Sequence, residues 1–171
     1  MITAKECILK YGIPFDNGVT PSVNESTLFE GRNMVLWDVP QDINNAIPAL
    51  PNKIYCNKDM VPVIEKGLRN VIVRGLAGQI RTWDGCFNVR PMRGYEKQYA
   101  KAIKEGNVDL AITFLSMHSW GTAFDMNAAW NQLKQIPTMS KELVACFTDA
   151  GMDWGGSWKR LDGMHFQLAK I

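Results

Sequence analysis

Ser116-Met117-His118-Ser119-Trp120-Gly121-Thr122-Ala123-Phe124-Asp125 is the stretch from which the rest of the chain is read, and Asp162-Gly163-Met164-His165 answers it near the C-terminus. These two segments hold both histidines of the 171-residue chain. Two imidazoles and a carboxylate, with a further carboxylate just upstream of the second imidazole, match the ligands and general base of a hydrolytic zinc site, in which three protein ligands leave one position open for water. The blander reading, two histidines satisfied in a core or on a surface, stands beside it at this point.

The local pattern favours convergence. Thr122 to Asn127 alternates like a strand, with Phe124 and Met126 on one face and Ala123, Asp125 and Asn127 on the other, so Asp125 projects from a rigid platform. Gly121 lets the chain bend between His118 and that strand, and small Ala123 leaves space on the face of Asp125. Met164, Phe166 and Leu168 alternate with His165 and Gln167, which turns His165 away from the core. In a straight strand Asp162 would point the wrong way. A turn at Gly163 would bring its carboxylate round to within about 2.6–3.2 Å of a reacting proton, the reach a general base needs.

Outward from these segments, Thr3-Ala4-Lys5-Glu6 is a capping box opening a short helix that Gly12 ends and that docks on the main body. Gly12 to Asn33 is crowded with turn-forming residues and is expected to be a long surface loop. Met34 to Val39 and Lys53 to Cys56 are strands, joined by an irregular connection with prolines at 40, 48 and 51. Asp59 is expected to cap a helix from about Met60 to Arg74, closed by Gly75. Gln79 to Trp83 is expected to be a strand leading into an Asp84-Gly85 turn. Gly94 to Glu105 is helical, Val108 to Leu115 is ambiguous between strand and buried helix, and Thr138 or Ser140 opens a helix that Gly151 closes. The fold class is α+β: a small antiparallel sheet bearing a zinc site on one face, with helices packed on the other.

A net charge of +2 lacks the concentrated basic stripe of a nucleic-acid surface, yet suits an anionic polymer such as a bacterial wall. The four cysteines, Cys7, Cys56, Cys86 and Cys146, include no C-x-x-C pair, so free buried thiols are expected. No apolar run approaches the roughly 20 residues of a membrane span, and residues 1–6 show no signal-peptide core. The expectation is a monomer made in the cytoplasm, without stable membrane insertion, whose access to an external substrate depends on release by another factor.

Ser116-x-His118-x-x-Gly121-x-Ala123-x-Asp125, followed by Trp154-Gly155-Gly156 and Asp162-x-Met164-His165-Phe166, resembles the zinc D-alanyl-D-alanine carboxypeptidase and L-alanyl-D-glutamate peptidase family of cell-wall peptidases, most closely its bacteriophage endolysin branch. The resemblance runs from about Trp83 to the C-terminus. It implies that His118, Asp125 and His165 are zinc ligands, that Asp162 is the general base and then the acid, and that Ser116 orients a ligand by a hydrogen bond. It further implies that Gly85 to Gly94 supplies a residue to the substrate carbonyl or carboxylate. Arg93 is slightly preferred to Arg90, because an Arg-Gly pair recurs in that branch; a surface salt bridge is the alternative for either.

The implied activity is zinc-dependent hydrolysis of an amide bond in the peptidoglycan stem peptide, L-Ala-D-Glu or a D-Ala bond. The rivals are a bacterial D,D-carboxypeptidase or dipeptidase acting on small peptides and an inactive zinc-binding module; retention of Asp162 speaks against the latter. The expected organisation is an N-terminal helix and loop extension over residues 1–33 and a catalytic domain over 34–171. Gly94 to Leu115 is longer than the resemblance anticipates and could wall the cleft; the Gly12 to Asn33 segment has no counterpart in it.

Overall fold

The computed structural model describes residues 1–14 and 23–171. Its first helix, α1 (Ala4–Tyr11), carries the expected capping box: the Thr3 hydroxyl accepts from the Glu6 N–H at 3.3 Å and the Glu6 carboxylate accepts from the Thr3 N–H at 2.8 Å. Burial of Cys7 and hydrogen bonds from Tyr11 Oη to Asp59 (2.8 Å) and from Trp120 Nε1 to Gly12 O (2.9 Å) dock it on the body.

The loop expected from Gly12 to Asn33 is corrected in its second half, where α2 (Val23–Asn33) runs directly into strand β1 (Met34–Asp38). Burial of Phe29 and the Asn33 amide, which donates to Tyr11 O and Phe29 O, outweigh the weak helix propensity of the turn-forming residues. The first half of that expectation, residues 15–22, lies outside the described residues. The connection after β1 is also more ordered than expected: α3 (Gln41–Ala46) starts behind Pro40 and buries Ile43.

Strand β2 (Lys53–Asn57) pairs antiparallel with β1, Met34 opposite Asn57 and Asp38 opposite Lys53. The helix that follows, α4 (Val61–Val73), is reached through a single tight turn over Lys58–Met60, capped by Asn57 rather than by Asp59. Asn57 Oδ1 accepts from the Asp59 N–H at 3.0 Å, while the Asp59 carboxylate is occupied by Tyr11 Oη and, at 2.7 Å, Lys10 Nζ. Gly75 closes α4 in the left-handed region, as expected.

The expected strand from Gln79 to Trp83 does not form; one turn over Ala77–Gln79 and a lone bridge between Trp83 and Met126 take its place. The cause is Asn127, whose Oδ1 accepts from the N–H groups of Arg81 (2.7 Å) and Thr82 (3.1 Å), the donors a strand would offer to a neighbour. Helix α5 (Glu96–Lys104) lies where expected. The ambiguous apolar run becomes α6 (Val108–Thr113), capped by Asn107, whose side chain accepts from the Leu110 N–H.

Strand β3 (Ala123–Asp125), helix α7 (Lys141–Thr148, capped by Ser140) and strands β4 (Met152–Trp154) and β5 (His165–Leu168) complete the chain. The three strands form an antiparallel sheet in the order β3-β5-β4. Its register sets Phe124 opposite Phe166 and Phe166 opposite Trp154 on one face. There the rings of Phe124, Phe147 and Phe166 lie 5.2–5.4 Å apart, so α7 closes over this face. Helix α4 packs behind α7 at Gly67, where an added Cβ would fall 2.5 Å from the Phe147 ring. The other face presents Asp125 opposite His165 and Asp153 opposite Gln167. The protein is thus α+β, with small antiparallel sheets and packed helices. All four cysteines are free and buried, and burial pushes the Cys7 and Cys56 thiols up to about 12, which leaves them neutral. No helix among the described residues is long and apolar enough to cross a membrane.

Candidate metal centre

His118 is carried on a tight turn over Met117–Trp120. The Ser116 hydroxyl caps this turn by accepting the His118 N–H at 3.4 Å, so it holds the backbone of His118 rather than its ring. Gly121 ends the turn at φ +64 and donates to His118 O at 3.0 Å. A Cβ there would lie 2.6 Å from Met34 Cε and 2.8 Å from the backbone nitrogen of Asn57, so only glycine satisfies both the left-handed conformation and the contact with β1 and β2. Asp125 and His165 are cross-strand partners on β3 and β5.

These elements bring three atoms together. His118 Nε2, Asp125 Oδ1 and His165 Nδ1 lie 3.2 Å from one another along each side of a triangle. Ligands at the usual 2.0–2.1 Å from a tetrahedral zinc are about 3.3 Å apart, so the spacing fits such an ion. The histidines are buried, and Asp125 is nearly so.

The surrounding hydrogen bonds give the donor set its chemistry. His118 Nδ1 lies 2.8 Å from the carbonyl oxygen of Cys86, which can only accept, so that nitrogen carries the proton. Gln167 Nε2 donates to Ile2 O at 3.4 Å, which turns Gln167 Oε1 toward His165 Nε2 at 3.1 Å and places that ring's proton there. Both rings therefore present lone pairs to Asp125 Oδ1. Burial alone would raise the Asp125 pKa, but positive charge on the two imidazoles outweighs it and holds the carboxyl well below its usual range. Three acceptor atoms facing one point are stable only around positive charge, supplied either by protons on the rings or by a metal cation.

Asp162 lines the same cleft. Trp154 Nε1 donates to Gly163 O at 2.8 Å, and Asp162 N donates to Gly155 O at 3.0 Å, folding the Asp162 turn against Trp154-Gly155-Gly156. A Cβ on Gly155 would sit 2.5 Å from Asp162 O, and one on Gly156 would sit 2.1 Å from the Trp154 ring, which explains both glycines physically. Asp162 Oδ1 is buried without a hydrogen-bond partner among the described residues. Burial first, and the nearby charge of Asp125, raise the Asp162 pKa above its ordinary value, against the lowering influence of His165 and Arg93.

The cleft has a volume of about 500 Å³ and is lined by Arg90, Arg93, Ser116, Asp125, Asp162 and His165, among others. Both arginines therefore reach it, in different settings. Arg90 is half-buried, and loss of solvent lowers its pKa despite the opposing pull of Asp125 and Asp162; Arg93 is exposed at the rim.

Other contributors carried weak sequence signals. Trp158 packs its ring 5.4 Å from that of His165. Arg160 spans the cleft edge, donating to Arg93 O while lying 5.8 Å from the centroid of the Tyr95 ring. The shared alternation of His165 and Gln167 hinted at the Gln167 contact, but nothing marks Cys86 O or Ile2 O, because backbone carbonyls leave no trace in residue type. Residues from the Gly94 to Leu115 segment, including Tyr95 and Thr113, line the cleft and wall one side.

No curated protein and no solved structure matches the chain. Residues 111–168, a span that contains Ser116, His118, Asp125, Asp162 and His165 but neither candidate arginine, match the family model described as D-alanyl-D-alanine carboxypeptidase, a peptidase M15 model, which supports a peptidase acting on cell-wall peptides.

Proposed function

We propose that this protein is a zinc-dependent peptidase that hydrolyses an amide bond of the peptidoglycan stem peptide, L-Ala-D-Glu or a D-Ala bond, as an endolysin-like enzyme of bacteriophage type. The observation that carries this reading is the convergence of His118 Nε2, Asp125 Oδ1 and His165 Nδ1 in the cleft that also holds Asp162. Those three atoms would hold the metal. When bound, zinc supplies a Lewis acid for the scissile carbonyl and brings the pKa of water from 15.7 toward about 7.

The chain's own groups do the remainder. Asp162, with Oδ1 buried and without a hydrogen-bond partner among the described residues, takes a proton from the attacking water at its carboxylate and returns it to the leaving amine nitrogen. Arg90, desolvated beside the acids, donates to the substrate carbonyl or carboxylate; its burial supports it over Arg93, which the Arg-Gly pair had favoured. Trp158 and the Gly94 to Leu115 wall restrict water and shape the substrate's entry. The catalytic domain is residues 34–171, with residues 1–33 an extension whose Ile2 carbonyl fixes Gln167.

A digest of purified peptidoglycan analysed by mass spectrometry with and without chelator tests this reading. New N-terminal D-Glu or released D-Ala, lost on chelation, is the expected result; the lack of any metal-dependent product overturns it. In the same assay Asp162→Ala should lower turnover by about 10²–10⁴-fold while zinc stays bound. Near-normal turnover in that variant would remove the base assignment.

A further inference from the structure

Behind the Asp162 turn lies a second cavity of about 350 Å³ whose chemistry the hydrolytic centre does not use. Its lining combines uncharged polar side chains with Trp130, Met139 and Leu143, and carries one cation, Arg81, and no carboxylate. Trp130 contributes an indole that is 42 % exposed. The Arg81 guanidinium lies 4.9 Å from the centroid of that ring and has no ion-pair partner among the described residues. Gln79 accepts from Ser140 Oγ at 2.6 Å through Oε1, and its Nε2 makes no hydrogen bond among the described residues. An exposed ring flanked by unused amide and guanidinium donors fits a saccharide. The apolar C–H face of a sugar packs on indole, and an acetamido carbonyl accepts from such donors.

The position of this cavity ties it to the cleft. The loop from Asn127 to Thr138 separates the two, with Leu133 lining the cleft and Trp130, Asn131 and Thr138 lining the second cavity. Asn131 O accepts the Met164 N–H at 3.1 Å, one residue from His165. The loop is tightly built: Asn131 Oδ1 accepts from the Thr138 N–H at 2.7 Å, and Asn127 and Lys134 hold positive φ. A polymer carrying a peptide branch can thus place the branch in the cleft and its backbone across the loop on Trp130.

We infer that the Gln79–Arg81–Trp130 cavity binds the N-acetylated glycan strand of the cell wall, the backbone from which the stem peptide branches, an inference that rests on the peptidase reading above. Its lining holds no carboxylate that would repel the carboxylates of the peptide branches the strand carries. Binding here raises the local concentration of stem peptide at the metal centre without touching the reacting atoms.

The zinc-loaded full chain, Trp130→Ala and Arg81→Ala are compared on intact sacculi and on free stem peptide, and for co-sedimentation with glycan strands stripped of peptide. The expected result is a loss of about ten-fold in the rate on sacculi for Trp130→Ala, the scale of one lost aromatic contact, and a smaller loss for Arg81→Ala. Rates on free peptide should match those of the unaltered chain, and both variants should sediment less with stripped glycan. Equal losses on both substrates, or unchanged behaviour on sacculi, overturn the site. If the unaltered chain cleaves no peptide at all, the peptidase reading fails by itself, and co-sedimentation with stripped glycan still decides whether the cavity binds saccharide. The Arg81 side chain is exposed, so its variant keeps the test valid should Trp130→Ala fold poorly.

Discussion

His118 and His165 meet the same carboxylate oxygen from two unlike scaffolds. His165 sits on the central strand of a three-stranded sheet, with Asp125 directly opposite it, so its position follows from strand register. His118 sits on a single tight turn held by the Ser116 cap, by Gly121, and by Cys86 O on its ring. The orienting partners differ in the same way: a side chain, Gln167, for one ring and a backbone carbonyl for the other. A site built this way is robust on the sheet side and depends on a few exact contacts on the turn side.

Removing either imidazole outright should erase that difference. His118→Ala and His165→Ala each leave two donors where three converge, and both should lose stoichiometric zinc on dialysis, read by metal analysis, together with peptide cleavage. Retention of tight zinc by either variant would mean that the ligand assignment for that ring is wrong. A smaller change separates the two halves. Gln167→Leu removes the acceptor that fixes the His165 tautomer while keeping side-chain bulk, and should weaken zinc binding by about 10–100-fold. Competition titration against a chelator measures it. Unaltered affinity would show that β5 alone orients the ring.

The same contrast decides what could be read from the sequence. Alternation around Asp125 and His165 was legible because a strand's period of two is written in residue type, and the three-stranded sheet follows that pattern. The bend at Gly121 and the turn at Gly163 were legible because glycine marks unusual backbone. What escaped was set by distant partners. Asn127 takes the N–H groups that would have made Gln79 to Trp83 a strand, and Phe29 packing makes a helix of residues rich in turn formers. Asn57 rather than Asp59 caps the turn that leads into α4, because Lys10 and Tyr11, far away in sequence, claim the aspartate. The unequal burial of Arg90 and Arg93 is likewise set by the fold and encoded in no local pattern.

Gly121 offers the mildest test of how far the turn depends on its neighbours. Gly121→Ala introduces a left-handed alanine, costing about 1–2 kcal/mol, and drives a methyl group against Met34 and the Asn57 backbone, which adds about 1–3 kcal/mol. For a chain of this length each kcal/mol lowers the midpoint of thermal unfolding by about 2–4 °C. Gly106→Ala is the control: its φ of +70 carries the same backbone strain, but nothing lies within 4 Å of the added carbon. Calorimetry should therefore show a larger loss at Gly121 than at Gly106. Because Gly121 ends the turn that carries His118, the relief of that clash should also displace His118 and weaken zinc binding. Equal losses at the two glycines would mean that Met34 yields freely and that the turn, not its packing against β1 and β2, holds His118 in place.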